Sequence, residues 1–145
     1  MLAKQFILGT SMILGNVVFH VGMLLLLVKQ LRRHAPDSDH PRSLARMFFY
    51  LTYAVLIIIC IHIAEAASWA LVYYAFGEFS DFPSSLYFSM VTATTLGYGD
   101  MTLSESKRLL STFEAVGGLI LFSTSTAFLI ELMRRIFDDP SKAEA

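Results

Sequence analysis

The sequence has almost no cysteine and no excess of charge of either sign, and each shortage excludes something. Its single cysteine, Cys60, lies in an apolar run, so no disulfide can form within the chain. Eleven Lys and Arg against twelve Asp and Glu give a formal net charge of −1 at pH 7. That balance argues against a nucleic-acid partner, because such a protein needs a basic face to displace counterions from phosphates. At 145 residues the chain is also too short for several domains.

Apolar residues are abundant instead. They make up 55% of the chain, and the mean hydropathy is +0.58. Three apolar stretches, at about 6–28, 47–76 and 107–137, each exceed the roughly 20 helical residues that cross a bilayer. A cleavable signal peptide is a weaker interpretation of the first stretch, because its charge cluster follows the apolar run and no small-residue cleavage pattern appears. The composition therefore predicts an all-α integral membrane protein with three transmembrane helices.

Lysine and arginine predict the orientation of these helices. The segment between the first two stretches and the exit of the third are rich in positive charge, whereas the opposite side is poor in it, and the rich side is expected to be cytoplasmic. The N-terminus then lies outside, residues 1–46 form a first helix with a cytoplasmic linker, and 138–145 form a short cytoplasmic tail of a multi-pass protein in the cell membrane. The residues on the rich side are Lys29, Arg32, Arg33, Arg42, Arg46, Arg134, Arg135 and Lys142.

A short helix is predicted between the second and third stretches. Pro83, followed by Ser84 and Ser85, is typical of a helix start, because proline in the first turn loses no needed donor and a serine can cap the helix. The helix predicted at 83–94 is too short to span the membrane, so the chain must enter from outside and return there. Non-helical backbone is tolerated at such depth only where protein buries it or water reaches it. The segment 95–99, with the sequence TLGYG, is therefore expected to line a wet passage.

The conformation of the backbone gives a physical reason for the two glycines of this segment. Carbonyls of an extended strand point alternately to opposite sides, and they all face one axis only if alternate residues adopt left-handed conformations, which cost glycine least. Gly97 and Gly99 have that spacing, and the side chains of Leu96 and Tyr98 would then point away from the axis. A row of inward carbonyls can replace the water shell of a cation.

The sequence TTLGYGD, at residues 94–100, resembles the selectivity-filter signature of tetrameric potassium channels. The resemblance extends over a module at 47–137: outer helix 47–76, pore helix 83–94, filter 95–99 and inner helix 107–137. The sequence departs from the family at Leu96, where valine or isoleucine is usual, and in lacking a proline shortly after Asp100. The resemblance implies K⁺ as the permeant ion, with no other cofactor, bound by carbonyls of Thr95, Leu96, Gly97, Tyr98 and Gly99, with Thr94 and Asp100 supporting the filter.

A single chain carries only one filter segment. A closed ring of carbonyls therefore requires four copies, so the expected partners are three further copies of the chain and membrane lipid, with no nucleic acid or small-molecule substrate. The predicted function is passive potassium conduction and not catalysis. The alternatives are a nonselective monovalent cation channel and a nonconducting regulatory or scaffold membrane protein. A potassium-uptake transporter would carry four pore loops in one long chain, and the first helix lacks the arginines of a voltage sensor.

The inner helix has three features with open interpretations. Gly117 and Gly118 form either a gating hinge or a site of close helix packing. Phe122, Thr126 and Ile130 share a helical stripe that we expect to line the cavity and the inner constriction. Hydroxyls at 123–126 either face ions or bond to their own helix. Ion pairs between subunits or at the membrane interface are expected for Glu131, Arg134 and Arg135.

Four polar residues lie within the predicted spans: Asn16 and His20 on the first helix, and His62 and Glu65 on the second. If the two helices are antiparallel neighbours, the two pairs meet. The cluster would then pin the first helix to the pore module, or act as a proton sensor, since a histidine beside a carboxylate can titrate near neutrality.

The linker carries a second polar group. Its histidines and aspartates could bind a divalent cation, although a solvated connection is the favoured interpretation. The residues concerned are His34, Asp37, Asp39 and His40.

Overall fold

The computed structural model describes residues 2–33 and 44–137, and these residues form four helices with no strand among them. The helices are α1 (Leu2–Arg33), α2 (Leu44–Ala75), α3 (Phe82–Ala93) and α4 (Arg108–Phe137). By length and composition α1, α2 and α4 can each cross a membrane. The all-helical membrane class predicted from the sequence is confirmed. The cation cluster considered for the linker lies outside the described residues, as does the 138–145 tail.

Two of the spanning helices, α1 and α2, begin before the apolar stretches that predicted them, and α1 also ends after its stretch. The first stretch was placed at about 6–28, whereas α1 runs from Leu2 to Arg33, and α2 begins at Leu44 instead of about residue 47. A helix satisfies its own backbone groups in water as well as in lipid, so it does not have to end where the apolar residues end. Arg32 and Arg33 lie in the last turn of α1, where positive charge complements the helix dipole.

The short helix α3 starts one residue earlier than predicted, and its cap differs. Asp81 is the N-cap, and its carboxylate accepts a hydrogen bond of 2.8 Å from the backbone N–H of Ser84. Pro83 stands in the first turn, where no donor is lost. The bonds from the Ser84 backbone and hydroxyl, with a further one from Ser80, lower the pKa of Asp81. An aspartate therefore caps this helix, and not a serine.

Two apolar clusters hold the helices together. The outer cluster joins α2, α3 and α4 through Trp69, Tyr73, Phe88 and Leu110, with Leu103 from the connection before α4. The inner cluster joins α1 and α2, and partly buried side chains of α4 pack against it. Its buried members are Leu24, Leu27, Ala54 and Ile58.

A carboxylate ties together the two segments that flank α3. Glu78 accepts hydrogen bonds from the Ser104 backbone N–H at 2.7 Å, from its hydroxyl at 3.0 Å and from Lys107 Nζ at 2.8 Å. Burial acts to raise the pKa of Glu78, but the bonds from Lys107 and Ser104 outweigh it and the pKa is lowered. These hydrogen bonds connect Glu78, which precedes α3, with Ser104 and Lys107, which precede α4, and so fix both ends of the part of the chain that contains α3 and the segment after it.

Candidate functional site

The backbone of the 95–99 segment alternates in hand. Thr95, Gly97 and Gly99 have φ values of 59°, 57° and 77°, which lie in the left-handed region. The sequence argument required this conformation of the two glycines. Thr95 shares it, although a residue with a side chain gives up about 1–2 kcal/mol there. The left-handed position at Thr95 was not predicted, and no composition signal marks it.

Hydrogen bonds to α3 hold the start of the segment. The backbone N–H groups of Leu96 and Gly97 both donate to the carbonyl of Val91, at 3.0 and 3.4 Å, and that of Thr95 donates to Thr92 at 2.9 Å. These bonds also satisfy carbonyls that the end of a helix leaves free. They offset the backbone strain at Thr95, so the segment emerges from α3 in a fixed direction.

Side chains support both ends of the segment. The Thr94 hydroxyl donates to the carbonyl of Met90 at 2.7 Å. At the other end, the Tyr87 hydroxyl of α3 donates to the Asp100 carboxylate at 2.7 Å. Between these anchors Leu96 and Tyr98 are 58% and 66% exposed within the chain.

An open groove separates the segment from the start of α4. It has a volume of about 690 Å³. Thr95, Gly97 and Gly99 line one side, and Ser111 and Thr112 of α4 line the other. The three left-handed residues therefore border a space that this chain does not fill.

A buried carboxylate, which the sequence reasoning missed, lies behind α3. Glu114 of α4 is fully buried, and its carboxyl group accepts a hydrogen bond of 2.7 Å from the Tyr73 hydroxyl of α2. Its other oxygen bonds to the hydroxyl of Ser89 in α3, and that hydroxyl donates to the carbonyl of Ala66 at 2.7 Å. Glu114 thus joins three helices. An acidic residue inside an apolar stretch was the signal that could have identified it.

The glycine pair of α4 lies at helix contacts. A Cβ at Gly118 would stand 2.3 Å from the carbonyl oxygen of Ala93, at the end of α3. A Cβ at Gly117 would stand 3.2 Å from the Ile13 side chain of α1. Of the two interpretations of this pair, close packing is the one that these contacts explain.

Four side chains from three helices form a closed set of contacts, here called the polar ring. His20 Nδ1 and His62 Nδ1 each lie 2.8 Å from a different oxygen of Glu65. Ser125 Oγ lies 3.0 Å from His62 Nε2 and 3.2 Å from His20 Nε2. The structure therefore brings His20, His62 and Glu65 together. Asn16 instead accepts a bond of 3.0 Å from the Ser68 hydroxyl.

The nitrogen and carboxylate atoms of the polar ring lie within 4.8 Å of one another, a spacing that a metal ion could also use. Each ring nitrogen and each Glu65 oxygen already has a contact partner within the ring, so a metal ion would have to replace those contacts. Ser125 was not singled out in advance, because helical spacing alone does not decide which of four neighbouring hydroxyls points inward.

The remaining α4 candidates differ in surroundings. The Phe122 ring stacks on His62 with centroids 4.1 Å apart, whereas Thr126 and Ile130 are exposed within the chain. The predicted stripe is thus not uniform, because Phe122 packs inside the subunit. The hydroxyls of Ser123, Thr124 and Thr126 donate to carbonyls four residues earlier. Glu131 pairs with Arg135 in the same helix, at 2.7 Å.

Comparison with known proteins gives one match. A protein-family model described as "Ion channel" matches residues 48–135, which include α3, the 95–99 segment and most of α2 and α4. No curated protein and no solved structure matches the chain.

Proposed function

The chain belongs to this ion channel family, a non-enzymatic class of multi-pass membrane proteins, and we propose that it forms a potassium-selective channel of four identical subunits. The observation that carries the proposal is the alternation of hand at Thr95, Gly97 and Gly99. The permeant ion is K⁺, and no other cofactor is involved.

The alternation supports a carbonyl-lined filter. When every second residue is left-handed, successive carbonyls turn toward the same side instead of opposite sides. The carbonyls of 95–99 would then face one axis, and four such rows would replace the hydration shell of K⁺. Tyr87 and Asp100 support this filter from behind, because their hydrogen bond ties its outer end to α3.

Assembly into a tetramer is supported by what one chain leaves uncovered. Leu96 and Tyr98 are large, more than half exposed, and part of a segment anchored at both ends. The groove beside the segment is open on the same chain. Fourfold cyclic symmetry would place a neighbouring chain against these surfaces and close the ring.

The helices fit this arrangement. Four copies of α3 would direct the negative ends of their dipoles toward the central cavity, which favours a cation there. Thr126 and Ile130, exposed within one chain, are then available to line that cavity, whereas Phe122 is partly committed to His62. The distribution of Lys and Arg supports an orientation with the N-terminus outside and the C-terminus in the cytoplasm.

A nonselective monovalent cation channel is the second candidate, because Leu96 stands at a filter position with a longer side chain than valine. Ion flux into liposomes decides between the two. Purified protein should carry K⁺ down a gradient and be blocked by barium. Equal Na⁺ flux would leave only the nonselective pore, and no flux from correctly assembled protein would leave a nonconducting membrane protein.

A further inference from the structure

Each of the four contacts in the polar ring needs one hydrogen. The contacts run from Glu65 to His20, from His20 to Ser125, from Ser125 to His62 and from His62 back to Glu65, at 2.8 to 3.2 Å. An ionised carboxylate supplies no hydrogen, each neutral imidazole supplies one and the hydroxyl supplies one. Three hydrogens are then available for four contacts.

The missing hydrogen leaves two acceptors facing each other inside the protein. His20 and Ser125 are buried, and Glu65 is 5% exposed, so water cannot readily relieve that contact. A buried lone-pair contact loses a hydrogen bond and adds repulsion. The same three-hydrogen ring also carries a net charge of −1, which is costly in the membrane interior.

One additional proton removes both costs. It can reside on an imidazole, giving an imidazolium beside an ionised Glu65, or on the carboxyl group, with one imidazole in its other tautomer. In either arrangement all four contacts contain a hydrogen and the ring is neutral overall. We infer that the polar ring, formed by His20, His62, Glu65 and Ser125, is an intramembrane binding site for one proton per subunit.

A small polar cavity adjoins the ring. His62 and Glu65 line this cavity of about 20 Å³ together with Asn16 of α1 and Glu114 of α4. From α3, that cavity is lined by Ala93, which does not titrate. The cavity has the volume and the polar partners that one water requires, and such a water could exchange protons with His62 and Glu65.

The proton would also affect how α4 is held. Ser125 is the member of the ring that α4 supplies, and the neighbouring Phe122 stacks on His62. Loss of the proton removes one hydrogen bond from the contacts that join α1, α2 and α4. An effect on conduction rests on the proposed channel function, but the proton site itself does not.

The site is tested on full-length protein in liposomes by solid-state NMR of ¹⁵N-labelled histidine. His34 and His40 are replaced by Gln, so that the remaining signals come from the ring. When the pH is lowered, both histidines should respond together as one proton per chain is bound, because they share it. Two histidines that titrate independently, each binding its own proton, would overturn the inference. A change in the spectrum on adding EDTA would do so too, since the occupant would be a metal ion.

Three variants sharpen the test. Ser125→Ala opens the ring and should reduce its proton affinity by a factor of roughly ten or more, since it removes a hydrogen bond to a charged group. Ser123→Ala is the matched control, because within the described residues that hydroxyl bonds to the Leu119 carbonyl of its own helix and to no member of the ring. The titration of this variant should match that of the parent protein.

Glu65→Gln supplies the missing hydrogen permanently. Its amide can donate to one imidazole and accept from the other, so the ring is complete and neutral without an added proton. This variant should fold with unchanged helix content and lose the shared titration. If Glu65→Gln still bound the proton with unchanged affinity, or if Ser125→Ala titrated like Ser123→Ala, the inference would be wrong.

Discussion

Adding one methyl group at Gly118 should separate two helices, whereas the same change at Gly117 should not. A Cβ at Gly118 would stand 2.3 Å from the Ala93 carbonyl oxygen and 3.0 Å from its carbonyl carbon and Cα, all backbone atoms. Ordinary contact begins at 3.4 Å, so α3 and α4 must part by about 1.1 Å (3.4 − 2.3). At Gly117 the nearest atom is Cγ1 of Ile13, 3.2 Å away, so this side chain must shift by only a few tenths of an ångström.

The two substitutions should therefore change the free energy of unfolding in opposite directions, or in one case hardly at all. Alanine is favoured over glycine inside a helix by about 1 kcal/mol. Overpacking typically costs 1–3 kcal/mol, and the rigid contact at Gly118 belongs at or above the upper end of that range. Gly118→Ala should be destabilised by about 2 kcal/mol or more per subunit, and Gly117→Ala should be neutral or slightly stabilised. Thermal unfolding of the purified variants in detergent, followed by tryptophan fluorescence, measures the difference.

Potassium flux separates this reasoning from a hinge. If the pair serves as a hinge, both alanine variants stiffen α4, alter gating and leave stability unchanged or raised. If the pair serves close packing, only Gly118→Ala changes flux, because the displaced α3 carries with it the 95–99 segment, the proposed filter. A Gly118→Ala protein as stable as the parent would refute the packing argument.

Three further predictions concern Gly97, Glu114 and Glu78. Gly97→Ala places a side chain at a φ of 57°, where no described residue other than its chain neighbours comes within 4 Å, so it should reduce K⁺ flux through backbone strain alone. Gly22→Ala in α1, which also has open space around it among the described residues, should leave the flux unchanged, and equal flux in both variants would contradict the proposed filter geometry. Glu114→Gln should unfold at a temperature close to that of the parent protein, because an amide can both accept and donate hydrogen bonds. Glu114→Ala should lose about 2–4 kcal/mol of unfolding free energy, because it leaves a cavity and unpaired hydroxyls. Similar melting curves for the two variants would argue against the role of Glu114 in joining the three helices. The pKa of Glu78 is lowered from its ordinary 4.5, so its hydrogen bonds to Ser104 and Lys107 are intact above that pH and are lost as the pH falls through the lower pKa of the folded state. The Ser104 amide should therefore lose protection from hydrogen exchange only below about pH 4.5. Glu78→Gln should remove this pH dependence of the protection.

The helices were predictable because their signal is local. Apolar runs of the right length identify α1, α2 and α4 without knowledge of what they contact. Their ends were less predictable, since Leu2 and Arg33 belong to α1 through backbone bonds that continue past the apolar run. The cap of α3 shows the same limit: both Asp81 and Ser84 can cap, and only the path of the chain decides between them.

The sequence predicts those features of the candidate site that follow from the identity of one residue, and not those that depend on which residues of other helices lie nearby. Gly97 and Gly99 indicate left-handed backbone by their identity, whereas Thr95 adopts it because the surrounding bonds require it. Glu114 and Ser125 were missed for another reason. Their partners come from other helices, so their roles depend on the rotation of α4 about its axis, which a single sequence does not specify.

The contacts of α4 limit how it can move within a subunit. Gly118 rests against the end of α3, and Ser125 lies two turns further along, in the polar ring. The two points of attachment are roughly 10 Å apart along the helix axis, at 1.5 Å per residue. A helix held at two points along its axis cannot pivot about one of them while the contact at the other is intact. Displacement of its C-terminal end therefore requires either loss of one of these two contacts or bending of the helix beyond Ser125.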